Sequence, residues 1–283
     1  MVPPAPAQPA EAMRRLGLRP RKSLGQHFLV SGGVLLKIVE AAGLTPNDLV
    51  VEVGPGLGAL TEALARWAGR VVALEADREL ATALVRAFAD RPNVRILHAD
   101  ALKADLAALA PPPSPYSVVA NLPYGAATAI VRRFLEADHK PERMVVMVQR
   151  EVAQSMTARP GSLSMLGISV QFHGAPRIVG YVRPGSFYPP PKVTSAIVRI
   201  DVYPTPAVAV DSEARFFALV RAGFAAPRKQ LRSGLSHALG IGPVEAEGGL
   251  RAAGVEPTRR AETVTLGEWS ALYASATEAG WPL

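Results

Sequence analysis

"VVEVGPGLGALTEAL", residues 50–64, decides the fold. A valine-rich run, three glycines within five positions and then apolar residues at helical spacing read as a buried strand, a tight loop and a helix. Glycine lets the loop turn tightly and lets a ligand approach the main chain, while unpaired amides at the helix start favour a negative group. Gly54, Gly56 and Ala59 satisfy the Gly-x-Gly-x-x-Gly/Ala fingerprint of a dinucleotide site. The pattern is specific for a nucleotide-like ligand and indifferent to which one.

Outward from this segment the same alternation continues. "RVVALEAD" (70–77), "NVRILHAD" (93–100), "SVVAN" (117–121) and "ERMVVMVQ" (142–149) are strand-like runs separated by helix-period segments. "VLLKIVEAAG" (34–43) is a helix closed by glycine. From about residue 31 to residue 200 this is the pattern of a parallel sheet covered on both faces. "VGYVRPGSFYPPPKVTSAIVRIDVY" (179–203) reads as two strands around a proline-stiffened loop, an antiparallel hairpin at the sheet edge, whereas "GSLSMLGISVQFHG" (161–174) fits neither period. Beyond about residue 205 only helical segments remain. The expected organisation is therefore a leader over 1–20, an α/β domain over 21–204 and a small all-helical domain over 205–283.

Of the 283 residues, 49% are hydrophobic and 19% charged, the balance of a soluble globular chain. No apolar run approaches the ~20 residues of a membrane helix. "MVPPAPAQPA" lacks the parts of a secretory signal and is too rich in proline to pack, so a disordered leader and a cytoplasmic protein are expected. A transit peptide is the rival reading, since arginines follow, but serine is missing there. The absence of cysteine excludes disulfides, thiolate metal sites and cysteine nucleophiles. Five scattered histidines show no metal-ligand spacing, so no metal is expected, and there is no Gly-x-Ser-x-Gly elbow.

A net charge of +7 favours polyanionic partners, although many basic proteins bind nothing. The cations cluster, in "MRRLGLRPRKS", "VRRF", "APRKQLRSGL" and "PTRRAE". Clusters on one face would make a footprint for nucleic acid, with Arg21, Lys22, Arg228, Lys229 and Arg232 as the candidate RNA contacts.

Glu75 ends the second strand about 20 residues beyond the glycine loop, where an acid accepts hydrogen bonds from both hydroxyls of a ribose. Asp100 follows the third strand, where it can accept from an adenine amino group. Either acid alone reads as a helix cap; three successive strands ending in Gly54, Glu75 and Asp100 read as a nucleoside rim. A nucleoside carrying a carboxylate and no phosphate fits this rim, and S-adenosylmethionine is such a ligand. A nicotinamide cofactor fits the glycine loop as well, but no histidine paired with an acid marks a hydride site.

The fourth strand ends in "NLPYGAAT" (121–128). Adenine N6 is a poor nucleophile because its lone pair is delocalised into the ring. The Asn121 side-chain carbonyl and a backbone carbonyl of the same turn can accept both N6 protons, localise the lone pair and stabilise the charge that grows on nitrogen. Pro123 fixes the turn without adding a donor, and Tyr124 offers a face for stacking the base. The plainer reading is a turn, which asparagine and proline form readily. Its place after a nucleoside site favours chemistry.

At these residues the chain resembles the ribosomal RNA adenine N6-dimethyltransferases, most closely those acting on small-subunit RNA. "KSLGQHFL" (22–29), "VVEVGPGLGALT", "NLPYGAAT", "RPGSFYPPPKVTSAIVRI" (183–200) and "FFALVRAGFAAPRKQLRSGL" (216–235) carry the resemblance in order. It implies a Rossmann-like methyltransferase sheet, S-adenosylmethionine as donor, and two methyls on each of two adjacent adenines in a hairpin near the 3′ end of 16S RNA. The implied partner is the immature small ribosomal subunit, and the implied enzyme a monomer. Cofactor contacts would fall on His27, Leu29, Gly54, Glu75, Asp100 and Asn121, with Gly56 in the same loop. Asn121, Leu122 and Tyr124 would hold the amine and base beside Pro123, and Phe187 would cover the other face of the base. A methyltransferase of 23S RNA, or a nucleic-acid-binding factor of the same fold, is the alternative. Two departures from the family pattern stand out: Gly125, behind Tyr124, and Pro227, inside the basic cluster.

Overall fold

The computed structural model describes Met13 and residues 27–283. The expected leader apart from Met13, and the candidate RNA contacts Arg21 and Lys22, lie outside the described residues.

Strand β1 (Phe28–Leu29) precedes helix α1 (Gly32–Ala42). Strands β2 (Leu49–Val53), β3 (Arg70–Glu75), β4 (Val94–His98), β5 (Tyr116–Asn121) and β6 (Arg143–Gln149) then alternate with helices α2 (Ala59–Leu64), α3 (Arg78–Ala87), α4 (Leu106–Leu109) and α5 (Ala127–Leu135). Helices α6 (Arg150–Met156) and α7 (Met165–His173) lead into β7 (Gly174–Val182), β8 (Phe187–Tyr188) and β9 (Ser195–Val202). The chain ends in α8 (Glu213–Phe224), α9 (Leu231–Leu239), α10 (Pro243–Ala252) and α11 (Leu266–Glu278).

Seven strands form one sheet in the order β4-β3-β2-β5-β6-β9-β7. Strands β2 to β6 pair in parallel, and β9 runs antiparallel to β6 with Val198 opposite Val146. The central strands lack polar alternation because both faces are covered: Val50, Val51, Val71, Val118, Val119, Val145 and Val146 are all fully or almost fully buried. Helix α1 buries Leu35, Ile38, Val39 and Ala42 and stops at Gly43, whose left-handed φ of 59° lets its amide donate back to Val39. Asp77 caps α3, accepting from the amides of Glu79 and Leu80, a bond worth about 1 kcal/mol.

This order matters for function because β2 lies between β3 and β5. Chain progression reverses there, so the loops after β2 and β5 part and open a crevice at the carboxyl ends of the strands. A second, two-stranded sheet pairs Leu29 of β1 with Phe187 and Phe28 with Tyr188 of β8. Strands of two residues carry no periodicity, and sequence reading passes over them.

The chain divides into two compact units. One runs to Ala153 and resumes over Ala175–Pro204; the other comprises Gln154–Gly174 and Thr205–Leu283. The segment of ambiguous period thus becomes α7 and groups with the carboxyl-terminal helices, whereas the sequence division at 204 leaves it in the α/β domain. Phe172 explains this: it stacks on Phe216 and meets Phe217 edge-on, in an apolar cluster that includes Leu219, Leu235, Leu250 and Trp269. A capping box between Thr265 and Glu268 starts α11. Among the described residues no helix is long and apolar enough to cross a membrane, and no group of three His, Asp or Glu side chains is placed to hold a metal ion.

Candidate active site

A cavity of about 370 Å³ opens at the reversal point of the sheet. His27, Leu29, Gly54, Gly56, Glu75, Asp100, Asn121, Leu122, Pro123 and Tyr124 all line it, so residues spread over nearly a hundred positions of sequence meet there.

The glycine loop shapes one wall. Gly56 and Gly58 have left-handed φ values of 59° and 81°; a Cβ on Gly56 would lie 2.9 Å from the Phe28 ring, and one on Gly58 2.8 Å from that of Phe88. Both positions therefore exclude side chains on two grounds. The three glycine amides of the loop already have acceptors: Gly54 donates to the Leu74 carbonyl and Gly58 to that of Pro55. The Gly56 amide donates to Glu75 Oε2 at 3.2 Å, and the Asp77 amide donates to Glu75 Oε1 at 2.9 Å. Burial raises the carboxyl pKa of Glu75, and these two amides oppose the rise.

Glu52, which the sequence reading did not single out, stands beneath. It is 1% exposed and accepts from Thr61 Oγ1 at 2.6 Å. Burial pushes its carboxyl up to about 8, with the Thr61 hydroxyl lowering it and neighbouring Glu75 raising it. An acid inside a strand otherwise made of valine and leucine is the signal that was available. Asp100 is exposed and accepts from the Leu102 amide at 2.9 Å, turning the chain after β4.

The charge of the lining decides between ligands. Glu75, Asp77 and Asp100 contribute three acidic groups above Glu52, whose burial favours its neutral form, and among the described residues of the lining there is no lysine or arginine. A dinucleotide pyrophosphate would meet like charge, with no cation among the described residues of the lining to answer it. S-adenosylmethionine, whose sulfonium and ammonium outweigh its single carboxylate, carries a net positive charge and meets complementary charge.

On the opposite wall, β5 delivers Asn121. Its Nδ2 donates one hydrogen to the His27 carbonyl at 3.1 Å, which fixes the orientation of the amide and leaves Oδ1 as its acceptor. In the turn itself the Leu122 amide donates to Met147 and the Pro123 carbonyl accepts from Ala126, which leaves the Leu122 carbonyl as the second acceptor. Tyr124 is held on two sides. Its hydroxyl shares a 2.6 Å hydrogen bond with Ser195, and its ring stacks on His27 with centroids 5.6 Å apart. Burial raises its phenol pKa, and the Ser195 bond opposes the rise. The His27 ring in turn donates from Nδ1 to the Pro189 carbonyl at 2.7 Å. Ser195, fully buried at the start of β9, is the second residue missed. Gly125 is exposed with open space around it, so the support behind Tyr124 comes from Ser195 and His27.

Phe187 does not line the cavity. Its pairing in β8 turns it inward, 4% exposed, into the apolar cluster that includes Leu29, Val182 and Ile197, and turns Tyr188 out to solvent. Its place in the core follows from alternation along a strand, which assigns neighbours to opposite faces. Of the basic candidates, Arg228 and Lys229 are exposed on a turn that Pro227 starts and the Lys229 amide closes onto Ala226. Arg232 is already paired with Glu247 at 3.1 Å.

A family model described as ribosomal RNA adenine dimethylase matches residues 17–278. A protein of Dehalococcoides mccartyi named ribosomal RNA small subunit methyltransferase A is 50% identical over 96% of this chain and 94% of its own length. Its namesake in Pelotomaculum thermopropionicum is 43% identical over 98% of both chains. Among solved structures, the 23S rRNA methyltransferase ErmE is 31% identical with a TM-score of 0.70, covering 88% of this chain and 98% of its own. A dimethyladenosine transferase from Plasmodium falciparum shares the fold at a TM-score of 0.77 and 24% identity, over 90% and 99%. The chain belongs to the ribosomal RNA adenine dimethylase family.

Proposed function

We propose that this enzyme places two methyl groups on the N6 of each of two adjacent adenines in a hairpin near the 3′ end of 16S RNA, acting as a cytoplasmic monomer on the immature small subunit. The observation that carries the chemistry is the acid-lined cavity, without a cation among its described residues, ending at the residue 121–124 turn. What favours small-subunit RNA is that full-length relatives with that name are 50% and 43% identical, against 31% for the 23S enzyme.

S-adenosylmethionine, the donor of this family, supplies an electrophilic methyl on a cationic sulfur. Glu75 accepts from the ribose hydroxyls of the donor and Asp100 from its adenine, beside Gly54, Gly56, His27 and Leu29. The Asn121 Oδ1 and the Leu122 carbonyl accept the two N6 protons of the target. Nitrogen then becomes pyramidal, its lone pair points along the transfer axis, and the charge it gains in the transition state meets two oriented dipoles. Tyr124 stacks on the base, and Pro123 keeps the turn from shifting. The methylated cation that results is acidic enough to lose its proton to water, so no strong base is needed. Arg228 and Lys229, two of the exposed cations of the helical unit, neutralise phosphates.

The test is incubation of unmodified small subunits with protein and donor, followed by mass spectrometry of the 16S RNA. Dimethylation of two neighbouring adenines is expected, and RNA affinity should fall steeply with added salt. Modification confined to large-subunit RNA would overturn the choice of substrate.

A further inference from the structure

Arg150 and Tyr181 form a surface feature that the mechanism leaves unused. The guanidinium carbon of Arg150 lies 5.3 Å from the centre of the Tyr181 ring, within cation–π range. Both side chains are exposed, Tyr181 by 53%. The cation lies over the ring, and about half of the tyrosine remains accessible to solvent.

Its location is fixed by the sheet. The Arg150 amide donates to the Thr194 carbonyl at 2.9 Å, and the next residue, Ser195, holds the Tyr124 hydroxyl. Tyr181 lies on β7, the neighbour of β9. Strands β5, β6, β9 and β7 are successive neighbours, so three strand spacings, roughly 15 Å, separate the Tyr181 strand from the β5 end that carries Tyr124, the reach of two or three nucleotides. On the same unit Arg177, Arg183 and Lys192 are exposed, and residues 175–200 contain no Asp or Glu; the acid next to the pair in sequence is the exposed Glu151.

A target adenine has to leave its stack before its amine can enter the cavity, which strips the neighbouring base of a stacking partner. We propose that Arg150 and Tyr181 form a platform for that neighbouring base. The Tyr181 ring replaces the lost stack, and the Arg150 guanidinium, oriented by the ring, engages the adjoining phosphate. The occupant is a single-stranded nucleotide of the same RNA, and the inference rests on the substrate reading above. Base–aromatic stacking tolerates any base, so the platform adds affinity for the opened strand and leaves the choice of target to the cavity.

The experiment measures initial rates of methyl transfer to unmodified small subunits for the full-length protein and for Tyr181→Ala, Tyr181→Phe and Arg150→Ala. Tyr181→Ala is expected to raise KM for subunits about 10-fold, with kcat and donor affinity within twofold of wild type. Tyr181→Phe keeps the ring and should stay within twofold. Arg150→Ala should also raise KM and reduce the salt slope of binding by about one, whereas Tyr181→Ala leaves that slope alone. An unchanged KM in Tyr181→Ala, or an equal loss in Tyr181→Phe, overturns the platform alone. No methylation by the wild-type protein overturns the substrate reading and the platform with it.

Discussion

In the donor half of the cavity the contacts are local: Gly56 reaches Glu75 across 19 residues, Thr61 reaches Glu52 across nine, and Asp77 reaches Glu75 across two. In the acceptor half they are remote, with Asn121 tied to His27 across 94 residues, Tyr124 to Ser195 across 71 and His27 to Pro189 across 162. The donor wall is a product of one βαβαβ run and its backbone geometry. The acceptor wall forms only after β1, β8 and β9 have come together around the β5 turn. Damage to the donor wall should therefore lower affinity for a small molecule, and damage to the acceptor wall should lower the rate.

The largest effect is expected at Asn121. Asn121→Ala removes one of two oriented acceptors and should cut kcat by about 10² to 10³-fold, as loss of a preorganised dipole does elsewhere. RNA affinity should stay within about threefold, because phosphate contacts lie elsewhere. Single-turnover methylation and filter binding separate the two quantities. Equal losses in both would indicate a binding surface instead of a catalytic one.

Next comes the donor wall. Glu75→Gln preserves shape and removes the charge that two ribose hydroxyls would bond. Hydrogen bonds to a charged group are worth about 1.5 to 3 kcal/mol, so affinity for S-adenosylmethionine should fall about 10- to 100-fold by calorimetry. The rate at saturating donor should change far less. A large fall in that rate with unaltered affinity would erase the contrast between the halves.

That contrast also explains what the sequence discloses. Gly54, Glu75, Asp100 and Asn121 are legible because each follows a buried strand whose apolar run announces it. Ser195 is not, since a serine opening a strand of alanine, isoleucine and valine carries no local sign of a partner 71 residues away. The inward turn of Phe187 is hidden for a related reason: a two-residue strand decides which neighbour faces the core, and its partner, Leu29, lies at the other end of the domain sequence. The helix α7 grouping rests on the Phe172 stack with Phe216, again a contact between distant segments.

A smaller effect is expected from the Tyr124 clamp. Ser195→Ala and Tyr124→Phe each delete the same hydrogen bond, worth about 1 kcal/mol, so each should lower kcat about fivefold. The double variant should be no worse than either single one, since they share one interaction. Additive losses would mean that the hydroxyl and the serine act separately.

The last expected effect concerns pH and stability alone. Glu52 holds its proton up to about 8 in the folded protein and releases it near 4.5 when unfolded. Between those values the folded state binds one proton more than the unfolded state, so stability falls as pH rises, by up to about 1.4 kcal/mol per unit. The contribution is complete below pH 4.5 and lost as pH passes 8. Glu52→Gln keeps an acceptor for Thr61 and has nothing to titrate. Urea denaturation should therefore find the variant close to wild type at pH 5 and more stable at pH 8, with only the residual slope of Glu75, whose carboxyl burial also raises. Parallel stability profiles for the two proteins would mean that Glu52 is ionised in the fold. The cavity floor would then carry a full negative charge directly beneath the donor.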